Sequence, residues 1–448
     1  MKINLNFAQS AILNKNGVNH LKVDIIPPIK AQDENQKPVL MILALDKSGS
    51  MGSPVHYISY NNRQGYVSLI NDLLNKKFKK PLNVETPRTK MQHAIEATVK
   101  FINLLTPNDL FGLVSFDDFA DISQPITHIT TKNKTIIENN IRSINKRGCT
   151  NISNAIERAR AMITAEHIEN YNCKIVIISD GMANAGITEP DGFASLTLKY
   201  LQEGITLSAL GIGEDYDSVI MNAISTGGGG LFHHVEDIEK LSEIFEEELT
   251  NSATATAKNV KLLLEIPKLV EIVENMNDFK QQVNGKNIEI FIGDLYSSKS
   301  IYFEIKNNFV DKDIEFKVTV EYKTLENEEK SLSTSKVMKV VNSEEKIGKA
   351  EKDQSIVDAV LSLLKNKTIR ETSNSLEKGD FMEMSSTFDN SVNQMNFYSQ
   401  AYNISDEKSK EVLSELDSLK EKYSTGNVSK DILKRTYAKS NRSMREQK

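Results

Sequence analysis

The chain has 448 residues, of which 39% are hydrophobic and 26% are charged, and its net charge is −6. This length is too great for one compact core and predicts about two to four domains, while the negative net charge argues against a nucleic acid partner. Two cysteines, no signal-peptide core and no apolar run long enough to span a bilayer predict a cytoplasmic protein without a membrane segment. The frequent lysine, asparagine, isoleucine and glutamate residues are typical of an AT-rich bacterium.

The first 35 residues predict β-strands. Ile12-Leu13, a turn at Asn16-Gly17 and alternating apolar residues from 21 to 25 favour a β-hairpin. We expect these strands to complete a β-region later in the chain. The segment between them would then be inserted into that β-region. The alternative is that the β-region simply follows that segment in the chain.

Residues 36–250 alternate between strands and helices, which predicts an α/β domain with a doubly wound, mostly parallel sheet. Residues 39–45 are apolar without alternation, as in a strand buried on both faces. A second such strand, residues 174–179, is the fourth in order. In a sheet of order 3-2-1-4-5-6, the first and fourth strands are neighbours, so Asp46 and Asp180 at their carboxyl ends should flank one crevice.

Oxygen-bearing side chains gather around these two strand ends. Asp46, Ser48 and Ser50 recur at every second position, so extended chain directs them to one side. Thr150 opens a helix shortly before the strand that ends at Asp180. Carboxylates and hydroxyls suit Mg²⁺, Mn²⁺ or Ca²⁺ better than zinc. The sequence therefore predicts a metal site with five ligands: Asp46, Ser48, Ser50, Thr150 and Asp180.

Together these motifs resemble the metal-ion-dependent adhesion site of the von Willebrand factor A-type (VWA) domain. The resemblance covers residues 38–250 and includes the segments 109–117 and 211–213. It implies that the five residues hold a cation directly or through water, and that the protein is an intracellular bacterial member acting as a scaffold or adaptor. Two departures are Cys149, where a second glycine is common, and a long insertion at 53–88. For the insertion, a solvated surface loop and a partner-selecting element both stay open.

The rest of the chain predicts two further regions. Residues 251–345 alternate with period two and contain an Asn284-Gly285 turn, which predicts an antiparallel β-sandwich. Residues 346–448 return to helical spacing, with Ser405 as a predicted helix cap. The last twenty residues carry seven basic and two acidic side chains, and we expect this basic tail to fray in solvent, the alternative being that it binds an acidic partner.

Three functional hypotheses follow. The first is a non-enzymatic module whose cation, most simply Mg²⁺, binds a carboxylate supplied by a protein partner. The second is a metal-dependent hydrolase or regulatory enzyme in which the same ion activates water. The third is an architectural domain that binds no metal. The residues leave open which cation is preferred, who the partner is and whether the protein forms oligomers.

Overall fold

A computed structural model shows most of the chain. It describes residues 1–28, 37–53, 88–145, 148–235, 240–404, 406–424 and 428–446. Residues 54–87, which make up nearly all of the insertion, lie outside these ranges, as does the predicted cap Ser405.

The central sheet has six strands in the order β6-β5-β4-β7-β8-β9, which is the predicted order 3-2-1-4-5-6. The pairs β5-β4, β4-β7, β7-β8 and β8-β9 are parallel, whereas β6 is antiparallel to β5. The strands are β4 (Val39–Asp46), β5 (Leu110–Phe116), β6 (Ala120–His128), β7 (Asn172–Ser179), β8 (Ile205–Ile212) and β9 (Gly229–Val235).

Helices cover both faces of this sheet. Every residue of β4 is buried, so the strand contributes alternate side chains to a core on each face. This arrangement explains its unbroken apolar sequence. The flanking helices are α1 (Lys90–Phe101), α2 (Lys134–Arg142), α3 (Ile152–Met162), α4 (Ala165–Asn170), α5 (Pro190–Gln202), α6 (Ser218–Gly227) and α7 (Leu241–Ala253).

The β-region is a sandwich of two sheets, ordered β1-β3-β14-β11 and β12-β13-β10-β15-β16-β2, around a shared apolar core. Its first strands are β1 (Lys2–Phe7), β2 (Ala11–Leu13) and β3 (Gly17–Ile26). The remainder are β10 (Ala257–Glu265), β11 (Val270–Asn275), β12 (Lys280–Asn284), β13 (Asn287–Leu295), β14 (Lys299–Asn307), β15 (Ile314–Lys323) and β16 (Glu329–Val341).

Strands that precede and follow the α/β segment therefore build this sandwich. Strand β3 pairs with β14, so the α/β segment is inserted into the β-region. The predicted hairpin of β2 and β3 is wrong. Strand β3 pairs with β1, whereas β2 joins the other sheet beside β16. Asn16 still adopts the left-handed conformation expected of a turn residue (φ 53°), but the turn carries the chain between sheets.

Helices dominate the carboxyl-terminal region. They are α8 (Glu344–Gly348), α9 (Gln354–Glu377), α10 (Phe381–Ala401), α11 (Asp406–Ser424) and α12 (Lys430–Arg445). Helix α10 was not predicted from the sequence. The residue bounds 1–35, 36–250, 251–345 and 346–448 remain our proposed division of the chain. None of the described helices combines the length and apolar character that crossing a bilayer requires.

The basic tail does not fray, and that prediction is wrong. It forms α12, whose Leu433, Tyr437 and Met444 are buried. The Lys434 ammonium is also buried, lying 2.5 Å from Glu377 Oε1 and 4.2 Å from the centre of the Tyr216 ring. Because Glu377 pairs with the Lys434 ammonium and the Tyr216 ring lies against it, this part of the tail is packed into the fold.

Replacing Lys434 with methionine tests this role. The variant keeps the aliphatic stem but removes the charge-assisted bond to Glu377, so we expect it to lose about 1.5–3 kcal/mol of stability. Lys439→Met, at an exposed position on the same helix, is the matched control. Thermal unfolding compares the two. Equal melting temperatures would mean that the tail lies loosely on the fold.

Candidate metal centre

The two predicted aspartates lie side by side at the carboxyl edge of the central sheet. Strands β4 and β7 are paired in parallel with Leu45 opposite Ile178, so Asp46 ends one strand where Ser179 ends the other. Asp180 follows immediately. After Asp46 the chain turns away through a short 3-10 helix, Gly49–Gly52, which carries Ser50 back over the strand ends.

Hydrogen bonds connect the side chains at this edge. The Ser50 hydroxyl donates to Asp180 Oδ1 over 2.7 Å, and the Ser48 and Ser50 hydroxyl oxygens are 3.0 Å apart. The Ser48 amide donates to Asp46 Oδ1 (2.7 Å), which orients that carboxylate. Four of the five predicted ligands thus form one polar cluster.

Thr150 belongs to the same cluster through its position opposite Gly181. A Cβ atom placed on Gly181 would lie 3.2 Å from Thr150 Oγ1, 3.6 Å from Ser50 Oγ and 3.9 Å from Asp46 Oδ2. Three of the predicted oxygens therefore face one small space that a larger residue at 181 would fill. Two hydrogen bonds with Asn184 fix the Thr150 loop. The backbone amide of Thr150 donates to Asn184 Oδ1 (2.9 Å), and the backbone amide of Asn184 donates to the Thr150 carbonyl (3.1 Å).

Burial makes the charged forms of the two carboxylates in this cluster energetically costly. The side chains of Asp46 and Asp180 are both inaccessible to solvent. Burial raises the pKa of Asp46 from 3.8 to about 6, although hydrogen bonds from Ser179 and Ser48 favour its charged form and the charge of Asp180 opposes it. Two buried carboxylates within one polar cluster are stabilised by positive charge nearby.

The donor set fits a hard divalent cation. Among the described residues, no group of three or more His, Cys, Asp or Glu side chains is placed to hold a metal. Carboxylates of Asp46 and Asp180 with hydroxyls of Ser48, Ser50 and Thr150 supply a set of oxygen donors, which Mg²⁺, Mn²⁺ or Ca²⁺ accepts. Bound there, the ion would offer a Lewis-acidic position for a further oxygen ligand.

Two residues at the site were not predicted from the sequence. The Ser179 hydroxyl donates to Asp46 Oδ2 (2.5 Å), and the Lys90 ammonium lies 2.8 Å from Asp180 Oδ2. Lys90 is the first residue of α1, where a positive charge opposes the helix dipole. That conflict was a usable signal, because an acidic neighbour would offset the unfavourable position of the lysine.

Other reactive groups near the sheet edge are engaged elsewhere or unsuited to catalysis. A hydrogen bond to Asp118, together with that residue's charge, raises the pKa of the exposed Cys149 thiol, so it is a poor nucleophile. His233 Nε2 lies 2.7 Å from Glu248 Oε1, and His234 Nε2 lies 3.1 Å from Asp431 Oδ1. Both histidines take part in packing networks with other helices.

Comparison with known proteins identifies the domain that carries this site. Residues 41–183 match the family model described as the von Willebrand factor type A domain. The chain contains a von Willebrand factor type A domain. The VWA match begins inside β4 and ends just after Asp180, so it contains the two strand ends and all five predicted ligands.

Relatives of the VWA domain come from bacteria and animals. The chain is 26% identical over 224 residues to the uncharacterized protein YfbK of Escherichia coli (strain K12), covering 48% of this chain and 38% of that protein. It is 26% identical over 212 residues to inter-alpha-trypsin inhibitor heavy chain 4 of Mus musculus, covering 45% of this chain and 22% of that protein. The chain thus spans less than two-fifths of the length of these relatives.

Two solved structures are similar to this chain over most of its length. One is a von Willebrand factor type A protein from Catenulispora acidiphila, with a TM-score of 0.64, 16% identity and coverage of 89% of this chain and 87% of that chain. Another is the ArnB paralog VWA2 from Sulfolobus acidocaldarius, with a TM-score of 0.59, 16% identity and coverage of 99% and 98%. At this identity the likeness concerns the fold, which in both cases extends well beyond the VWA domain.

Proposed function

We propose that this protein is a divalent-metal-dependent interaction module that binds an acidic residue of a protein partner. Its cation, most simply Mg²⁺, would be held in a metal-ion-dependent adhesion site formed by Asp46, Ser48, Ser50, Thr150 and Asp180. The partner's carboxylate would complete the coordination of the ion. We further propose a scaffold or adaptor role in the cytoplasm of a bacterium.

The observation that carries this proposal is the composition of the site. Three of its five proposed oxygen ligands are neutral hydroxyls, which donate little electron density, so a divalent ion bound there would remain a strong Lewis acid. Such an ion attracts an external carboxylate in a charge-assisted contact. VWA domains in general mediate metal-dependent protein interactions, and the family match of residues 41–183 supports this reading.

A metal-dependent hydrolase is the alternative. It would use the same ion to activate water and would need a general base close to it. His233 joins β9 to Glu248 on α7 and His234 joins it to Asp431 on α12, which favours a structural role for both, and the raised pKa of the Cys149 thiol disfavours its thiolate as the base. Activity that requires both the metal and Asp46 with no protein partner present would favour the enzyme.

Calorimetric titration with Mg²⁺ and Mn²⁺ tests the proposed site. Ser48→Ala removes one hydroxyl and its contact with Ser50, so we expect the affinity for the ion to fall at least about tenfold, as is typical when one supporting group of a metal site is lost. Ser53→Ala, an exposed position just beyond the 3-10 turn, should bind like the wild type.

An interaction screen in Mg²⁺ and in chelator then tests the partner. A partner that is retained by the wild type and lost both on chelation and with Ser48→Ala supports metal-dependent docking. If the wild type binds neither ion, the domain is architectural and the proposal is wrong.

A further inference from the structure

Lys90 is the group that most directly affects the charge of the proposed metal site. Its Nζ lies 2.8 Å from Asp180 Oδ2, the oxygen opposite the one that accepts from Ser50. The lysine side chain is 12% exposed and the Asp180 side chain is inaccessible. This ion pair is therefore enclosed by protein and weakly screened by salt.

The fold holds Lys90 in this position. A capping box formed by Thr89 and Gln92 begins α1 at Lys90. The backbone amide of Lys90 donates to the Ser53 carbonyl (3.1 Å), just after the 3-10 helix that carries Ser50. On its other side the ammonium packs against Gly213 at the end of β8, where a Cβ would lie 3.1 Å from Nζ. Gly213 has a φ of 76°, which favours glycine and preserves this close approach.

Lys90 is a separate cation from its neighbour Lys47. The Lys47 ammonium lies 2.6 Å from Asp121 and 3.8 Å from Asp117, so two carboxylates on the β5–β6 side neutralise it. Lys90 instead shares Asp180 with the proposed ion. Within the site, one positive charge thus stands against two carboxylates before any metal binds.

We propose that Lys90 is a tethered cation that sets the charge of the metal centre, weakening its affinity for free metal and strengthening its attraction for an acidic partner. The inference rests on the proposed function. With Lys90 present, the two carboxylates and a divalent ion leave the loaded site with a net charge of one positive unit. Without Lys90, the loaded site is neutral and attracts a carboxylate less strongly.

Removing this charge should therefore change two affinities in opposite directions. In Lys90→Met, Mn²⁺ should bind at least about tenfold more tightly at low salt, since a unit charge within several ångströms of a divalent ion has an effect of that order even in water. Acetate, used as a minimal carboxylate, should bind the Mn²⁺-loaded variant more weakly than the loaded wild type. A purely structural role for Lys90 would not strengthen metal binding.

The measurement uses the full chain. Mn²⁺ binding is followed by electron paramagnetic resonance of the free ion, and acetate binding by water-proton relaxation of the loaded protein. Lys90→Arg keeps the charge and should resemble the wild type. Lys100→Met removes an exposed charge from the same helix, about 15 Å along its axis, and should change the affinity much less because the Coulomb energy falls with distance. Lys90→Gln removes the charge while keeping a hydrogen-bond donor for Asp180, should the methionine variant fold poorly.

The outcomes separate the two proposals. If the wild type binds no Mn²⁺, the metal site itself is wrong. If the wild type binds Mn²⁺ but both Lys90→Met and Lys90→Gln bind it equally or more weakly, the metal site stands and the role assigned to Lys90 is overturned.

Discussion

Asp46→Asn is expected to lower the affinity for Mg²⁺ and Mn²⁺ by at least about a hundredfold, because it removes the charge of a central ligand while keeping its shape. The asparagine can keep the hydrogen bond from the Ser48 amide, and the Ser179 hydroxyl can turn to accept from its side-chain nitrogen. The fold should therefore survive. Calorimetry measures the loss directly.

The same substitution should not destabilise the metal-free protein. Burial raises the pKa of Asp46 from 3.8 to about 6, so its ionisation opposes folding as the pH rises through that window. At neutral pH the asparagine removes this cost, and its melting temperature without metal should equal or exceed that of the wild type. Metal at one hundred times the wild-type dissociation constant should stabilise the wild type by about 2.7 kcal/mol and the variant by no more than about 0.4 kcal/mol.

Asp118→Asn is the matched control for this pair of measurements. Asp118 is an exposed carboxylate on the loop after β5, near the site but outside the proposed ligand set. The Asp118→Asn substitution should leave the affinity for Mg²⁺ and Mn²⁺ within about threefold of the wild-type value. Undiminished metal binding by Asp46→Asn would remove Asp46 from the site and, with it, the proposed function.

Glu248→Gln is expected to be the most destabilising single substitution considered, costing about 3–5 kcal/mol. Glu248 lies on α7 and is inaccessible to solvent. It is paired with the buried Lys174 of β7 and hydrogen-bonded to His233 of β9 and to Ser208 of β8 (3.0 Å). Glutamine would leave the Lys174 ammonium buried without its countercharge. Thermal and urea unfolding measure the loss, and Glu246→Gln, exposed on the same helix, is the control.

The pH dependence gives an independent check on Glu248. Burial alone would raise its pKa, but Lys174 and His233 outweigh that effect and lower it from 4.5 to about 2. The stability contributed by the ionised group is therefore complete above pH 4.5 and is lost as the pH falls from 4.5 towards 2. Glu248→Gln should show a shallower decline in this window. An unchanged acid transition would mean that the pair contributes little.

Local patterns in the sequence predicted the centre of the molecule well. The unbroken apolar strand before Asp46 and its counterpart before Asp180 specify parallel strands buried on both faces, and short right-handed connections then determine the strand order. Helix α10 could also have been predicted. Its buried Met384, Phe388, Met395 and Tyr398 follow helical spacing, and this stripe was overlooked.

The predictions of a β2–β3 hairpin and of a frayed basic tail failed because both depend on contacts between distant segments. Strand β2 has the turn of a hairpin, but its partner is β16, more than three hundred residues later. The charges of α12 appear unpaired in sequence, yet Lys434 meets Glu377 and Arg442 meets Glu247. Neither set of contacts produces a pattern in the sequence close to the residues that form it.

By itself, the sequence determined the parallel sheet, the positions of its strand ends and the kinds of oxygen ligand found there, because all of these depend on local apolar patterns and residue chemistry. Only the tertiary structure decided that Ser179 and Lys90 join the site, that β3 pairs with β14 and that the tail packs as a helix. Each of these depends on distant segments meeting, and a contact between distant segments is selected by the free energy of the whole packed core.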